Sequence, residues 1–171
     1  MQYTFKKIDS GFIGKAFELA VKDALNRKNA DRVSPCGQAD FRFNGHNYDV
    51  KQNGSVLRYN PTSKYIKGSS RVIYASHIAY TVTAETEETI TIAVDLASTD
   101  LFVVDRNDFV AFLLDNGLAK ANKSRGTVNV QTGYNYKKDA YHGRTGKKIE
   151  AWAYENEHDD DDIIGTILAG L

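Results

Sequence analysis

Apolar residues recur at Ile13, Phe17, Ala20, Val21 and Ala24 through residues 11–28, behind the N-cap pair Asp9-Ser10. That is the helical period, and it predicts an amphipathic helix. Residues 29–37 (NADRVSPCG) concentrate turn formers and read as a loop. In QADFRFNGHNYDVKQ the pattern alternates on both sides of Asn44-Gly45, the strongest short-range hairpin signal. Residues 72–82 are nearly all apolar, as expected of a central strand covered on both faces. Further strands are expected over 89–95, 100–104 and 127–136, with a helix over 107–116 stopped by Gly117 and a short helix over 147–156. This order argues for an α/β or α+β fold with a mixed central β-sheet flanked by helices. No repeat or Pro/Gly/Ser-rich linker divides the chain, so one domain is expected over 1–158, followed by an acidic and apolar tail over 159–171.

The hairpin can be put in register from its turn. With Asn44-Gly45 as a two-residue type I′ turn, Phe43 faces His46, Arg42 faces Asn47, Phe41 faces Tyr48 and Asp40 faces Asp49. One face then carries Ala39, Phe41, Phe43, His46, Tyr48 and Val50, which suits a core. The other carries Asp40, Arg42, Asn47, Asp49 and Lys51. Asp40 and Asp49 are thereby expected in direct opposition, with β-carbons about 4.5–5.5 Å apart. Like charges so placed repel, and a divalent cation with a preference for hard oxygen ligands removes the conflict. Lys51 follows on the same face, within reach of whatever the ion holds.

An acid on one strand and Asp/Glu-X-Lys on the next resembles the signature of the PD-(D/E)XK nuclease superfamily. Its counterparts here are Asp40 and Asp49-Val50-Lys51, with Ala39 in the place of the name-giving proline and Glu18 on the preceding helix. The resemblance covers roughly residues 10–105 and implies a restriction-endonuclease-like core. It also implies Mg²⁺, or Mn²⁺ in its place, held by Asp40, Asp49, the Val50 carbonyl and Glu18. Catalysis would fall to Asp40, Asp49, Lys51 and Glu18, with the metal acidifying a water and Lys51 orienting or deprotonating it. The same residues have a purely structural reading. Glu18 and Lys22 make an ordinary i,i+4 helix pair, and Lys51 neutralises Asp49.

Composition adds a core and a compartment. The 171 residues are 42% hydrophobic and 11% aromatic, ample for one buried core. Cys36 is the single cysteine, which excludes an intrachain disulfide framework and a cysteine-based zinc site. No apolar stretch approaches the ~18 residues of a membrane span and no signal peptide is read, so a cytoplasmic protein is expected.

The net charge of zero hides a segregation. Residues 51–71 carry +5, 85–115 carry −7 with Arg106 their only base, 116–149 carry +7 and 150–171 carry −7. The basic blocks interleave tyrosines and make Arg58, Lys64, Lys67, Arg71, Lys123, Arg125, Lys137, Lys138 and Arg144 candidate nucleic-acid contacts. The acids are expected to face away from the hairpin's polar face, apart from Asp40, Asp49 and Glu18. The tail reads as a solubilising spacer, as a phosphate mimic in the protein's own basic groove, or as a contact for a basic protein surface. Its isoleucines and leucine have the spacing to dock on the body or on another subunit. DNA and a second copy of the chain, in a homodimer, are the expected partners. A catalytically silent nucleic-acid- or protein-binding module, or an inhibitory interaction protein, is the alternative.

Overall fold

The computed structural model describes residues 1–29, 32–36, 39–52, 55–59, 71–118, 121–124, 127–131, 134–135, 140–141 and 143–171. The chain opens with β1 (Gln2–Lys6), whose alternating QYTFK pattern was not singled out above, and continues into α1 (Phe12–Asn29). After β2 (Val33–Ser34) come the hairpin strands β3 (Phe41–Phe43) and β4 (His46–Gln52), then β5 (Val56–Tyr59). The long apolar run divides into β6 (Arg71–Ala75) and β7 (Tyr80–Glu85). β8 (Thr89–Val94), β9 (Phe102–Asp105) and α2 (Arg106–Asp115) follow where expected, and Gly117 ends that helix at φ 65°. The remaining elements are β10 (Ala121–Ser124), β11 (Thr127–Gln131), β12 (Tyr134–Asn135), β13 (Ala140–Tyr141), α3 (Gly143–Glu155) and α4 (Ile163–Ala169).

The central sheet has the order β2-β3-β4-β6-β9, with β4 and β6 parallel and every other neighbour antiparallel. β6 is buried along its whole length because both faces are covered. Ile73 and Ala75 join α1 and α4 in one core, while Val72 and Tyr74 join α2 and α3 in a second. The period of two in a strand thus separates two apolar cores across one sheet. The fold is a mixed α+β architecture with a multistranded sheet flanked by helices. β1, β8 and β7 form a second antiparallel sheet, and β10, β11 and β5 a third.

Two expectations need correction. Residues 72–82 are not one central strand. β7 is exposed at every position and pairs only with β8 among the described residues. Ser76 and His77 end β6, and the chain passes to another sheet. An apolar run reports burial but not where a strand stops.

The tail, secondly, is not a spacer but part of the domain. Ile163 and Ile167 are fully buried against α1, and burying each such side chain is worth about 1.5–3 kcal/mol. Asp159 caps α4 by accepting from the Ile163 and Ile164 N–H groups at 2.8 and 3.3 Å. Gly170 lies so close to α1 that a β-carbon there would stand 2.0 Å from the Ala24 carbonyl oxygen. Asp161 fastens the segment to the sheet. Its Oδ2 accepts from the Tyr48 hydroxyl and from Arg71 Nη1, both at 2.7 Å, and lies 2.8 Å from His46 Nδ1. Asn44 Nδ2 donates to its Oδ1 at 3.0 Å.

Candidate functional site

The hairpin forms as its turn residues require. Asn44 and Gly45 both take positive φ, 50° and 82°, the mark of a type I′ turn. Phe43 pairs with His46, Arg42 with Asn47 and Phe41 with Tyr48, the expected register. Phe41, Phe43, Tyr48 and Val50 face the α1 core. Asp49 and Lys51 therefore lie on the opposite face, level with Val72 and Tyr74 of the second core.

Beyond Phe41 the ladder changes. Asp40 precedes β3, and its N–H donates both to the Tyr48 carbonyl at 3.1 Å and to Asp49 Oδ1 at 3.2 Å. The Val50 N–H, which has no β3 residue left to meet, donates to Asp40 Oδ2 at 2.7 Å. The two aspartates are thus brought together, but each carboxylate accepts a main-chain N–H instead of facing its counterpart across an open ladder pair. That arrangement relieves part of the like-charge conflict. Because β4 outruns β3, the Val50 main chain meets a carboxylate where a strand would otherwise lie.

Burial, first of all, pushes the Asp40 carboxyl up to about 6, against the Val50 N–H, which favours the charged form. The charges of Glu18 and Asp49 raise it further, and that of Lys51 lowers it. The other three residues of the expected site therefore all act on Asp40. Glu18 contributes at a distance, since its carboxylate is paired with Lys22 at 3.1 Å, as the structural reading anticipated.

The residue that sequence reasoning missed is Arg106. It is the first residue of α2, and its Nη1 lies 2.5 Å from Asp49 Oδ2. Both partners are buried, Arg106 at 6% and Asp49 at 8% exposure. The available signal was its position as the lone base of the acidic block 85–115. Among the described residues, no three His, Cys, Asp or Glu side chains converge closely enough to hold a metal ion. The donor set at Asp40 and Asp49 is nonetheless all hard oxygen, as Mg²⁺ requires, and the Arg106 guanidinium supplies positive charge there. The oxygens on hand are those of two carboxylates, with Asp49 Oδ2 already held by Arg106 and the Glu18 carboxylate by Lys22.

The expected nucleic-acid residues divide three ways. Arg71 is corrected: at 6% exposure it is bound to Asp160, Asp161 and Tyr48 and holds the C-terminal segment in place. Arg58 lies in β5, Lys123 in β10 and Arg144 in α3. Lys64, Lys67, Arg125, Lys137 and Lys138 lie outside the described residues. β5 and β10 both flank β11, with Val128 opposite Lys123 on one side and Tyr59 on the other, so the two basic blocks meet in one sheet.

The acids do not all face away from the hairpin's polar face. Glu150 of α3 accepts a hydrogen bond from Ser76, and burial first, then the Glu150 charge, disfavour ionisation of Tyr74, the residue level with Lys51. Among the described residues no helix is long and apolar enough to cross a membrane. Set beside known proteins, the chain matches no family model, no curated protein and no solved structure.

Proposed function

We propose that the protein is a metal-dependent endonuclease that hydrolyses DNA phosphodiester bonds, restriction-type or junction-resolving, on a restriction-endonuclease-like core. The observation that carries this reading is the meeting of Asp40 with Asp49 where β3 ends, within the electrostatic reach of Lys51 and Glu18. The sheet that joins the two basic blocks begins a few residues past Lys51, at β5. Asp40 and Asp49 hold Mg²⁺ or Mn²⁺, which when bound acidifies a water and offsets charge on the phosphate. Lys51 orients the attacking water and balances the negative charge that develops on the phosphate oxygens. Glu18 adds negative field that favours the cation. A homodimer matches the need to cut two strands, and the resemblance to PD-(D/E)XK nucleases supports the whole.

The test is incubation of the full chain with supercoiled, linear, single-stranded and branched DNA, with and without Mg²⁺ or Mn²⁺. Cutting is expected only with metal, and Asp49→Asn and Lys51→Ala are each expected to lower the rate by about a hundredfold or more. A second reading, a silent nucleic-acid-binding module, is favoured by one observation: Asp49 already has a cationic partner in Arg106. Contaminant-free protein that binds these DNAs and cuts none of them selects that reading.

A further inference from the structure

Arg106 stands in an unusual place for a cation. It opens α2, where the helix dipole favours negative charge, and the first turn duly holds Asp108 with Asp105 as the N-cap. Its main chain is fixed on both sides. Asp105 pairs with Arg71 across β6 and β9, and its carboxylate accepts from the Asp108 N–H at 3.0 Å. A guanidinium buried at the positive end of a helix needs a compensating anion, and Asp49 Oδ2 at 2.5 Å is that anion. The remaining oxygen of Asp49 accepts from the Asp40 N–H. A cation entering between the aspartates therefore meets the Arg106 guanidinium at Oδ2 and competes with it for the charge of the Asp49 carboxylate. The charges concerned already balance: Asp40, Asp49 and Glu18 against Lys51, Lys22 and Arg106. A divalent ion added without releasing a base would leave an excess of positive charge beside the buried Arg106.

We propose that Arg106 is the resident counter-cation of Asp49, and that a divalent cation binds this site only in competition with its guanidinium. The inference rests on the assignment of the cation to Asp40 and Asp49 made above. Arg106 acts through Asp49 and is a positioning residue. It keeps the acid oriented and buried until the cation arrives.

The experiment titrates Mg²⁺ and Mn²⁺ into the full-length wild type, R106Q, R106K and the D49N/R106Q double variant, by calorimetry and by thermal melting in parallel. R106Q is expected to melt below wild type in EDTA and to bind the cation about tenfold more tightly or better. Its melting temperature should then rise more steeply with cation concentration, since a ligand that binds only the folded state stabilises it by mass action. R106K, whose ammonium lacks the guanidinium fork, is expected to fold in EDTA and to tighten binding severalfold. The double variant should lose the gain. A merely structural Arg106 would give the opposite sign, with weaker binding in both single variants. Unchanged or weakened affinity in R106K overturns the proposal even if R106Q does not fold. Wild type that binds cation and cuts DNA while the variants do not tighten overturns the competition alone. Tightened variants in a protein that never cuts overturn the endonuclease reading alone. Absence of cation binding in every form overturns both.

Discussion

Two aspartates in this domain respond to pH in opposite directions, because burial dominates at one and accepted hydrogen bonds at the other. Asp40 is raised to about 6 from an ordinary 3.8, by burial first and by Glu18 and Asp49. The folded state holds its proton more tightly than the unfolded chain does. Its contribution to stability is therefore fully present below the unfolded value and is lost as pH rises through about 6. Asp40→Asn keeps an oxygen for the Val50 N–H and removes the charge. Chemical denaturation should find it more stable than wild type at pH 8, on the order of 1 kcal/mol for so partly solvated a group, and little changed near pH 4. Cation binding needs the ionised form, so wild-type affinity should climb as pH rises through the same window. In the proposed metal site, stability and cation binding would thus pull Asp40 in opposite directions. Asp161 behaves conversely. Burial pushes its carboxyl up, but bonds from Tyr48, Asn44 and His46 outweigh this and hold it below the ordinary value. What it contributes is present above the unfolded pKa and is lost as pH falls through the lowered one.

At the scale of elements, the C-terminal segment works as a clasp on the strands that carry the site. Asp161 reaches the hairpin turn at Asn44, β4 at His46 and Tyr48, and the start of β6 at Arg71. Asp161→Ala takes from the buried Arg71 its buried carboxylate partner and leaves the more exposed Asp160, at a cost of about 3 kcal/mol, measurable as a lower denaturation midpoint with an unchanged slope. Arg71→Met in the same background should return part of that loss, because it removes the stranded charge. What was legible in the sequence follows the range of each interaction. α1, the hairpin register and the Gly117 stop depend on neighbours a few residues apart, and each was readable. The clasp joins residues 90 to 117 apart, and the Arg106–Asp49 pair spans 57, so no local pattern announces either. The division of 72–82 was hidden for another reason: apolar residues run from β6 through Ile78 and Ala79 to Tyr80 and Val82 of β7, but only β6 is covered on two sides. The aspartate pair was legible as a meeting of residues, not as a geometry, because β3 ends one position earlier than an ideal ladder would allow.

For the molecule as a whole, charge that sums to zero is arranged so that bases and acids have different tasks. Arg71 and Arg106 are counted among the bases, yet each is buried against aspartates and belongs to the fold. The acidic tail, likewise, neutralises one of the protein's own arginines. On the proposed reading the DNA contacts fall to other bases of the two blocks, of which Arg58 lies in β5 and Lys123 in β10 of the sheet where the blocks meet. This separation predicts different phenotypes for arginines drawn from one block of sequence. Arg58→Ala and Lys123→Ala should each weaken binding to duplex DNA uniformly across sequences and lower the slope of log affinity against log salt by about 1, with melting temperature nearly unchanged. Arg71→Ala should do the reverse, lowering stability while leaving the salt slope of the folded fraction intact. A fluorescence-anisotropy titration at several salt concentrations, run beside thermal melts of the same variants, separates the two classes. Equal salt slopes for wild type, Arg58→Ala and Lys123→Ala would move the DNA contact off this sheet.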